Sequence, residues 1–229
     1  MDVRSKRGEL GQGLYSLADL RLYVAYAALE DADVDEAKKD AKRALYWLSN
    51  VLLPVGHHSK RPDYSFADLI SLFVVRELHY KGVPRRNIQT AETYLRKKWH
   101  TDRPFVSGEI QTDGFAIYVD DNLIEGQIES ADRGGQQTMR ELVRERLTSV
   151  HYEGTTMHAA YWTPLTHVLV DPRVQFGAPV VAGTRIPTAA ISDAAHYASP
   201  EEIGRQFNLI PTKVESALSF EQRLAALRD

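Results

Sequence analysis

The segment "YSFADLISLFVVRELHYKG", residues 64–82, decides the fold of the first half of the chain. It begins near Ser65, a residue type that caps helix N-termini, and ends at Gly82, a residue type that often terminates helices. The apolar residues between them recur at helical spacing: Phe66, Leu69, Ile70, Phe73 and Val74. The pattern therefore predicts one long helix with a buried apolar face.

Three more helices are predicted around this segment. "YSLADLRLYVAYAAL", residues 15–29, has Ser16 as its predicted N-cap, and "VPRRNIQTAETYLRKKW", residues 83–99, has Pro84 in its predicted first turn. Between them, "DEAKKDAKRALYWLSN", residues 35–50, predicts a helix with basic residues outside one apolar face. That face comprises Ala37, Ala41, Ala44, Leu45 and Leu48, and Trp47 at its end is interpreted as a core residue.

The middle of the chain changes to an alternating pattern. "FVSGEIQTDGFAIYVDDNLIEGQIE", residues 105–129, predicts short strands with a turn at Asp113-Gly114. "GGQQTMRELVRERLTSV", residues 134–150, predicts an amphipathic helix that connects the two halves. Three helical segments are predicted at the end of the chain. In one of them, Ser199 and Glu202 form a capping-box pattern.

The glycine-rich stretch "QFGAPVVAGTRIP", residues 175–187, raises the question of a phosphate-binding loop. A Walker loop needs four residues between its glycines and then Lys-Ser/Thr, whereas five residues separate Gly177 from Gly183, and Thr184-Arg185 follows. Pro179 also removes a backbone donor from the loop. We therefore expect the stretch to form turns around a short strand.

Composition excludes several classes of protein. The 229 residues include no cysteine, so disulfides and thiolate metal sites are excluded, and the eight histidines are scattered apart from His57-His58. We expect no metal, no cofactor and no enzymatic activity. No stretch resembles a signal peptide or a membrane span, which predicts a cytoplasmic protein without a membrane partner.

The charge distribution is uneven along the chain. Residues 38–103 contain 14 lysines and arginines against 6 acidic residues, a balance of +8, whereas residues 111–229 contain 10 against 16, a balance of −6. A basic first half is typical of a protein that binds nucleic acid. The alternative is that solvated charges merely fall unevenly along the chain.

The first half resembles a known DNA-binding domain over residues 14–98. The order of helices, the irregular basic loop and the stretch "YSFADLISLFVVRELHYKGVPRRNIQTA" are similar to MerR-type winged helix-turn-helix domains. The connection "YAALEDADVDEA" is longer and more acidic than is usual there. The predicted DNA-binding residues lie on the second helix, the wing and the start of the fourth helix: Lys38, Lys39, Lys42, Arg43, Tyr46, His58, Lys60, Arg61, Arg85 and Arg86. A solvated helix face is the alternative.

The second half resembles a small helical domain family that is widely paired with toxin genes. The resemblance rests on "VDPRVQFGAPVVAGTRIPTAAI" and "SPEEIGRQFNLIPTKVESALSFE", with Ile210 where that family usually has a Ser-like helix cap. The whole chain is similar to VapB-type antitoxins. This implies a mainly helical α+β fold: a MerR-like winged helix-turn-helix over 1–104, a strand-and-helix connector over 105–160, and a homeodomain-like three-helix domain for dimerisation or toxin binding over 161–229.

The resemblance implies a type II antitoxin that binds operator DNA, represses its own operon as a homodimer, and neutralises a PIN-domain ribonuclease toxin. The candidate toxin-binding arginines are Arg140, Arg144, Arg146, Arg185, Arg223 and Arg228. The sequence does not choose among them, and Arg185 could instead make a hydrogen bond within its own turn. A stand-alone MerR-like transcriptional regulator without a toxin partner is the alternative function.

Overall fold

The computed structural model describes residues 13–50, 52, 64–112, 117–119, 122–123, 141–154 and 157–228. Within these ranges the chain is an α+β protein with seven α-helices and two small antiparallel sheets. The predicted α+β class is confirmed. None of the helices in these ranges is long and apolar enough to cross a bilayer.

The first half forms the four helices that the sequence predicts. They are α1 (Leu17–Ala28), α2 (Val34–Asn50), α3 (Phe66–Tyr80) and α4 (Arg85–Trp99). Ser16 and Ser65 each accept a hydrogen bond from the backbone three residues later and complete a capping box with Asp19 and Asp68. Pro84 is the N-cap of α4, so it lies just before the first turn rather than inside it.

Two four-stranded antiparallel sheets follow. The first has the order β3-β2-β1-β4 and the second the order β5-β6-β7-β8. Their strands are β1 (Gln111–Thr112), β2 (Ile117–Val119), β3 (Asn122–Leu123), β4 (Glu141–Leu142), β5 (Val150–Glu153), β6 (His158–Leu165), β7 (Val168–Val170) and β8 (Val180–Val181). The short strands predicted in residues 105–129 are therefore confirmed as β1 to β3.

The predicted connector helix is wrong for residues 141–150. These residues form β4, a 3₁₀ turn at Val143–Glu145 and the start of β5, while residues 134–140 lie outside the described part. The backbone N–H of Val143 donates to the carbonyl of Ile110, and β4 pairs with β1. Long-range strand pairing has thus overridden a local helical pattern. The hairpin of β5 and β6 was not predicted.

The C-terminal helices are confirmed. They are α5 (Thr188–Ala194), α6 (Pro200–Phe207) and α7 (Pro211–Arg228). Ser199 and Glu202 form the predicted capping box, and Asn208 ends α6 in a left-handed conformation. A small core joins these helices to β8 through Val181, Ile191, Ile203, Leu209, Val214 and Ala217.

The main core runs through both halves of the chain. Trp162 of β6 is 1% exposed, and its ring contacts Tyr23 and Tyr26 of α1 and Phe73 of α3. Phe220 of α7 lies 4.8 Å from the ring of Tyr26. The predicted boundaries at residues 104 and 160 therefore fall within one continuous set of buried side chains.

Candidate nucleic-acid interface

Helix α2 buries the side that the sequence predicts. Ala37, Ala41, Ala44, Trp47 and Leu48 are buried against neighbouring helices, which confirms Trp47 as a core residue. The opposite side of the helix therefore faces solvent. Four of the predicted DNA-binding residues are exposed there: Lys39, Lys42, Arg43 and Tyr46.

Carboxylates on α2 pair with two of these cations. Glu36 lies 3.3 Å from the ammonium of Lys39 and 3.1 Å from the guanidinium of Arg43. Asp40 lies 3.0 Å from the same guanidinium. The hydrogen bonds from Lys39 and Arg43 hold the pKa of Glu36 below its usual value, so its carboxylate stays ionised. The exposed face of α2 is thus a set of alternating charges.

The ion pairs continue from α2 into the protein. Arg76 of α3 lies 3.4 Å from Asp40 and 3.5 Å from Asp31, and its side chain is only 9% exposed. A buried cation needs such partners, because an unpaired charge away from water is costly. Asp40 therefore has a structural partner that Glu36 lacks.

Tyr46 and Arg85 join α2 to the start of α4. The guanidinium of Arg85 donates a 2.8 Å hydrogen bond to the Tyr46 hydroxyl and lies 4.8 Å from the centre of the Tyr46 ring. Arg86 beside it is exposed. Tyr46 and Arg85, 39 positions apart in the sequence, therefore bring two predicted DNA-binding elements together on one surface. We call the exposed residues Lys39, Lys42, Arg43, Tyr46 and Arg86, together with the half-buried Arg85, the α2–α4 surface.

Lys38 lies at the edge of that surface. It is half-buried and lines a groove of about 280 Å³ between α1, α2 and the end of α7, with Arg21, Leu22, Leu227 and Arg228 nearby. Lys38 therefore borders the groove beside α1 and the end of α7.

The predicted wing lies outside the described residues, and with it His58, Lys60 and Arg61. The structure describes where the chain returns from this loop. The backbone of Tyr64 exchanges two 2.8 Å hydrogen bonds with that of Tyr15, which places the residues before α3 beside those before α1.

Several of the 14 lysines and arginines in residues 38–103 are enclosed or paired with buried carboxylates, so fewer of them are available at the surface. Arg103 pairs with the buried carboxylate of Asp68, and Arg96 pairs with that of Glu92. Arg76 is likewise enclosed. The side chains of Lys42 and Arg86 are exposed and make no polar contact with other residues in the described ranges.

The candidate toxin-binding arginines are not gathered in one place. Arg144 lies 3.4 Å from Glu109, and Arg146 lies 3.2 Å from the buried carboxylate of Glu77. Arg140 lies outside the described residues. Arg223 and Arg228 are exposed on α7, and Arg223 acts electrostatically on the Tyr26 hydroxyl. The two candidate arginines in the described part of the connector, Arg144 and Arg146, therefore already have carboxylate partners within the chain.

The residues on either side of Arg185 shape its loop through hydrogen bonds and through their backbone conformation. Thr184 donates from its hydroxyl to the carbonyl of Val181 at 2.8 Å and accepts from the backbone of Ile186 at 3.1 Å. Gly183 has a φ of +78°, and Pro187 is the N-cap of α5. The side chain of Arg185 is exposed and has no polar partner within the described residues, although its carbonyl accepts from Gln175. The loop is built as turns around β8, as predicted.

An exposed aromatic side chain near this loop was missed by the sequence analysis. Phe176 is 65% exposed and has a φ of +56°, between Gln175 at +48° and Gly177 at +85°. Its carbonyl accepts a 2.9 Å hydrogen bond from the backbone of Leu14. A positive φ is uncommon for residues other than glycine, and nothing in the residue type indicates it.

In the part of the chain that is described, no three histidine, aspartate or glutamate side chains are arranged to hold a metal ion.

A protein family and a solved structure are similar to this chain. Residues 168–220, from β7 into α7, match a family described as a protein of unknown function, DUF433. No curated protein matches the chain significantly. The crystal structure of Rv2018 from Mycobacterium tuberculosis is similar, with a TM-score of 0.54 and 16% identity over 90% of this chain and 97% of that chain. At this identity the similarity establishes a related fold.

Proposed function

We propose that the chain is a DNA-binding antitoxin, which contacts operator DNA as a homodimer through a MerR-like winged helix-turn-helix and neutralises a PIN-domain ribonuclease. The observation that carries the DNA-binding part is the α2–α4 surface. The toxin-binding part rests on the sequence resemblance and on the exposed side chain of Arg185.

The geometry of α2 suits a major groove. The groove admits one α-helix, and lysine and arginine on its outer face can contact phosphates or guanine edges. Within the described part of the chain Lys42 has no carboxylate partner that competes for it, and Arg85 is held by Tyr46. A positioned guanidinium loses less side-chain entropy when it binds, which favours a contact at this point.

A binding assay tests the DNA contact. The full chain is titrated against a duplex from upstream of its own coding sequence and against a scrambled duplex, at several salt concentrations. We expect K42A and R86A each to weaken binding and to reduce the salt slope by about 0.9, the value for one lost phosphate contact. K97A removes a charge from the far end of α4 and serves as the matched control. Absence of binding to either duplex by the wild-type chain would exclude this function.

Arg185 is the candidate contact for the toxin. PIN-domain ribonucleases have a cluster of carboxylates at the active site, and an exposed guanidinium without an intramolecular partner can pair with them. Arg144 and Arg146 would first have to leave Glu109 and Glu77.

Co-expression with any PIN-domain ribonuclease that is encoded beside this chain tests the second part. We expect a complex without ribonuclease activity, and R185A should restore that activity, whereas R205A on exposed α6 should not. If operator binding occurs and no ribonuclease is inhibited, the chain is a stand-alone regulator.

A further inference from the structure

Glu36 occupies an unusual position for a protein that binds a polyanion. It lies in the first turn of α2, its side chain is 44% exposed, and it bridges Lys39 and Arg43 at 3.3 and 3.1 Å. Both cations belong to the α2–α4 surface. In the free protein one carboxylate therefore occupies two of the groups that would contact DNA.

The contacts of two neighbouring carboxylates, Asp40 and Asp35, distinguish them from Glu36. Asp40 also pairs with the enclosed Arg76, so its removal would disturb the contact between α2 and α3. Asp35 lies beside Glu36 in the same turn, is exposed, and makes no polar side-chain contact with the rest of the described chain. Among the described residues, Glu36 is thus the carboxylate that pairs with both surface cations, Lys39 and Arg43, and with no enclosed cation.

DNA phosphates can replace Glu36 as the partner of Lys39 and Arg43 at a small cost in free energy. Ion pairs between exposed side chains contribute little to stability, about 0 to 1 kcal/mol, so phosphates can displace Glu36 from Lys39 and Arg43. The displaced carboxylate then stays near the DNA backbone, where like charges repel. Every duplex meets this repulsion, and only a duplex that offers additional base contacts compensates for it.

We propose that Glu36 restrains the binding of α2 to DNA: it holds Lys39 and Arg43 in ion pairs and thereby suppresses binding to non-operator sequences. This inference rests on the proposed DNA-binding function and assigns a specificity-determining role to a residue that the resemblance does not mark. Without Glu36, Lys39 loses its carboxylate partner and Arg43 keeps only Asp40, so both cations meet less competition when they contact a phosphate backbone.

The test compares E36Q with D35N in the full chain. Each variant removes one negative charge from the same turn of α2, but only E36Q removes the charged partner of Lys39 and one of the two carboxylate partners of Arg43. Affinity is measured by fluorescence anisotropy for the upstream duplex and a scrambled duplex across a salt series. We expect E36Q to bind the scrambled duplex about tenfold more tightly than the wild type, with a salt slope steeper by about one, and D35N to change affinity about twofold.

The specificity ratio is the second readout. For E36Q we expect affinity to rise less for the upstream duplex than for the scrambled duplex, so that the ratio between them falls. Equal effects of E36Q and D35N would overturn the inference, because general charge repulsion would then suffice. Weaker binding by E36Q would also overturn it, since Glu36 would then be contacting DNA directly.

The same experiment gives a different result if the proposed DNA-binding function is wrong. If neither the wild type nor either variant binds any duplex, DNA binding itself is wrong and the restraint falls with it. Thermal unfolding of both variants checks the fold. We expect little change, because Asp35 is exposed and the ion pairs of Glu36, whose side chain is 44% exposed, contribute little to stability.

Discussion

The hydroxyl of Tyr15 donates a 3.0 Å hydrogen bond to the carbonyl of Gly177, a residue 162 positions later in the chain. Gly177 has a φ of +85°, and a Cβ added there would lie 2.2 Å from the Tyr15 hydroxyl oxygen. The residues before α1 and the loop before β8 therefore fit together only with glycine at this position.

Replacement of Gly177 by alanine should destabilise the protein strongly. The substitution adds both a strained φ and a steric conflict with Tyr15, which together should lower the free energy of unfolding by about 3 kcal/mol. G154A is the control, because Gly154 has a φ of +78° but no atom within 4 Å of an added Cβ. That variant should lose only about 1 kcal/mol in urea unfolding. Equal losses would show that the contact with Tyr15 adds nothing.

Phe176 allows a test of backbone strain. F176G and F176A both remove the exposed ring, but only glycine adopts a φ of +56° without cost. We expect F176G to be more stable than F176A by about 1 kcal/mol in the same urea unfolding experiment. An F176A variant as stable as F176G would mean that residues 175–177 relax to another conformation once the ring is lost.

Tyr152 should make stability depend on alkaline pH. Burial raises its pKa from 10.0 to about 12, and its hydroxyl has no hydrogen-bond partner among the described residues. The neutral hydroxyl is favoured in the folded state, so this contribution is complete below pH 10 and is lost between pH 10 and about 12.

Urea unfolding of wild type and Y152F at pH 8 and pH 11 measures this contribution. The stability of Y152F relative to the wild type should rise by about 1 kcal/mol between the two pH values. Tyr15 and Tyr23, whose pKa values are also raised by burial, are present in both proteins and cancel. A constant difference between the proteins would show that Tyr152 ionises normally in the folded state.

Trp162 should be essential to the main core. W162A removes a ring that contacts α1 and α3 and should lower the free energy of unfolding by about 3 to 5 kcal/mol. W99A, at the half-buried end of α4, should lose less stability.

The unfolding transitions of the wild type measured by fluorescence and by helical circular dichroism should coincide, because one core joins both halves. Separate transitions would contradict this.

Local signals in the sequence were sufficient for the helices. Ser16, Ser65 and Ser199 cap their helices through residues only three positions away, so a short window contains the whole interaction. The connector helix predicted over residues 134–150 was wrong for residues 141–150, because their hydrogen-bond partners lie far away in the sequence. The partner of Val143 is Ile110, and no local pattern over residues 134–150 reports a hydrogen bond across that distance.

In the candidate site, too, the sequence predicted the features that depend on local periodicity and missed those that depend on distant contacts. Helical periodicity placed Lys39, Lys42 and Arg43 on the exposed side of α2, as the structure has them. The engagement of Arg43 by Glu36 spans seven residues, and that of Arg85 by Tyr46 spans 39, so neither follows from helix propensity. The conformation of Phe176 depends on contacts with Leu14 and could not be predicted from its type.

The position of Phe220 has an evolutionary consequence. Its ring lies against Tyr26 of α1, although it belongs to the segment that matches a separate family. Recombination that exchanged residues 168–220 for a homologous module would place a foreign side chain into the contact with α1. The two segments are therefore constrained to co-evolve, and a chimaera will retain its native packing only when both sides of this contact come from one parent.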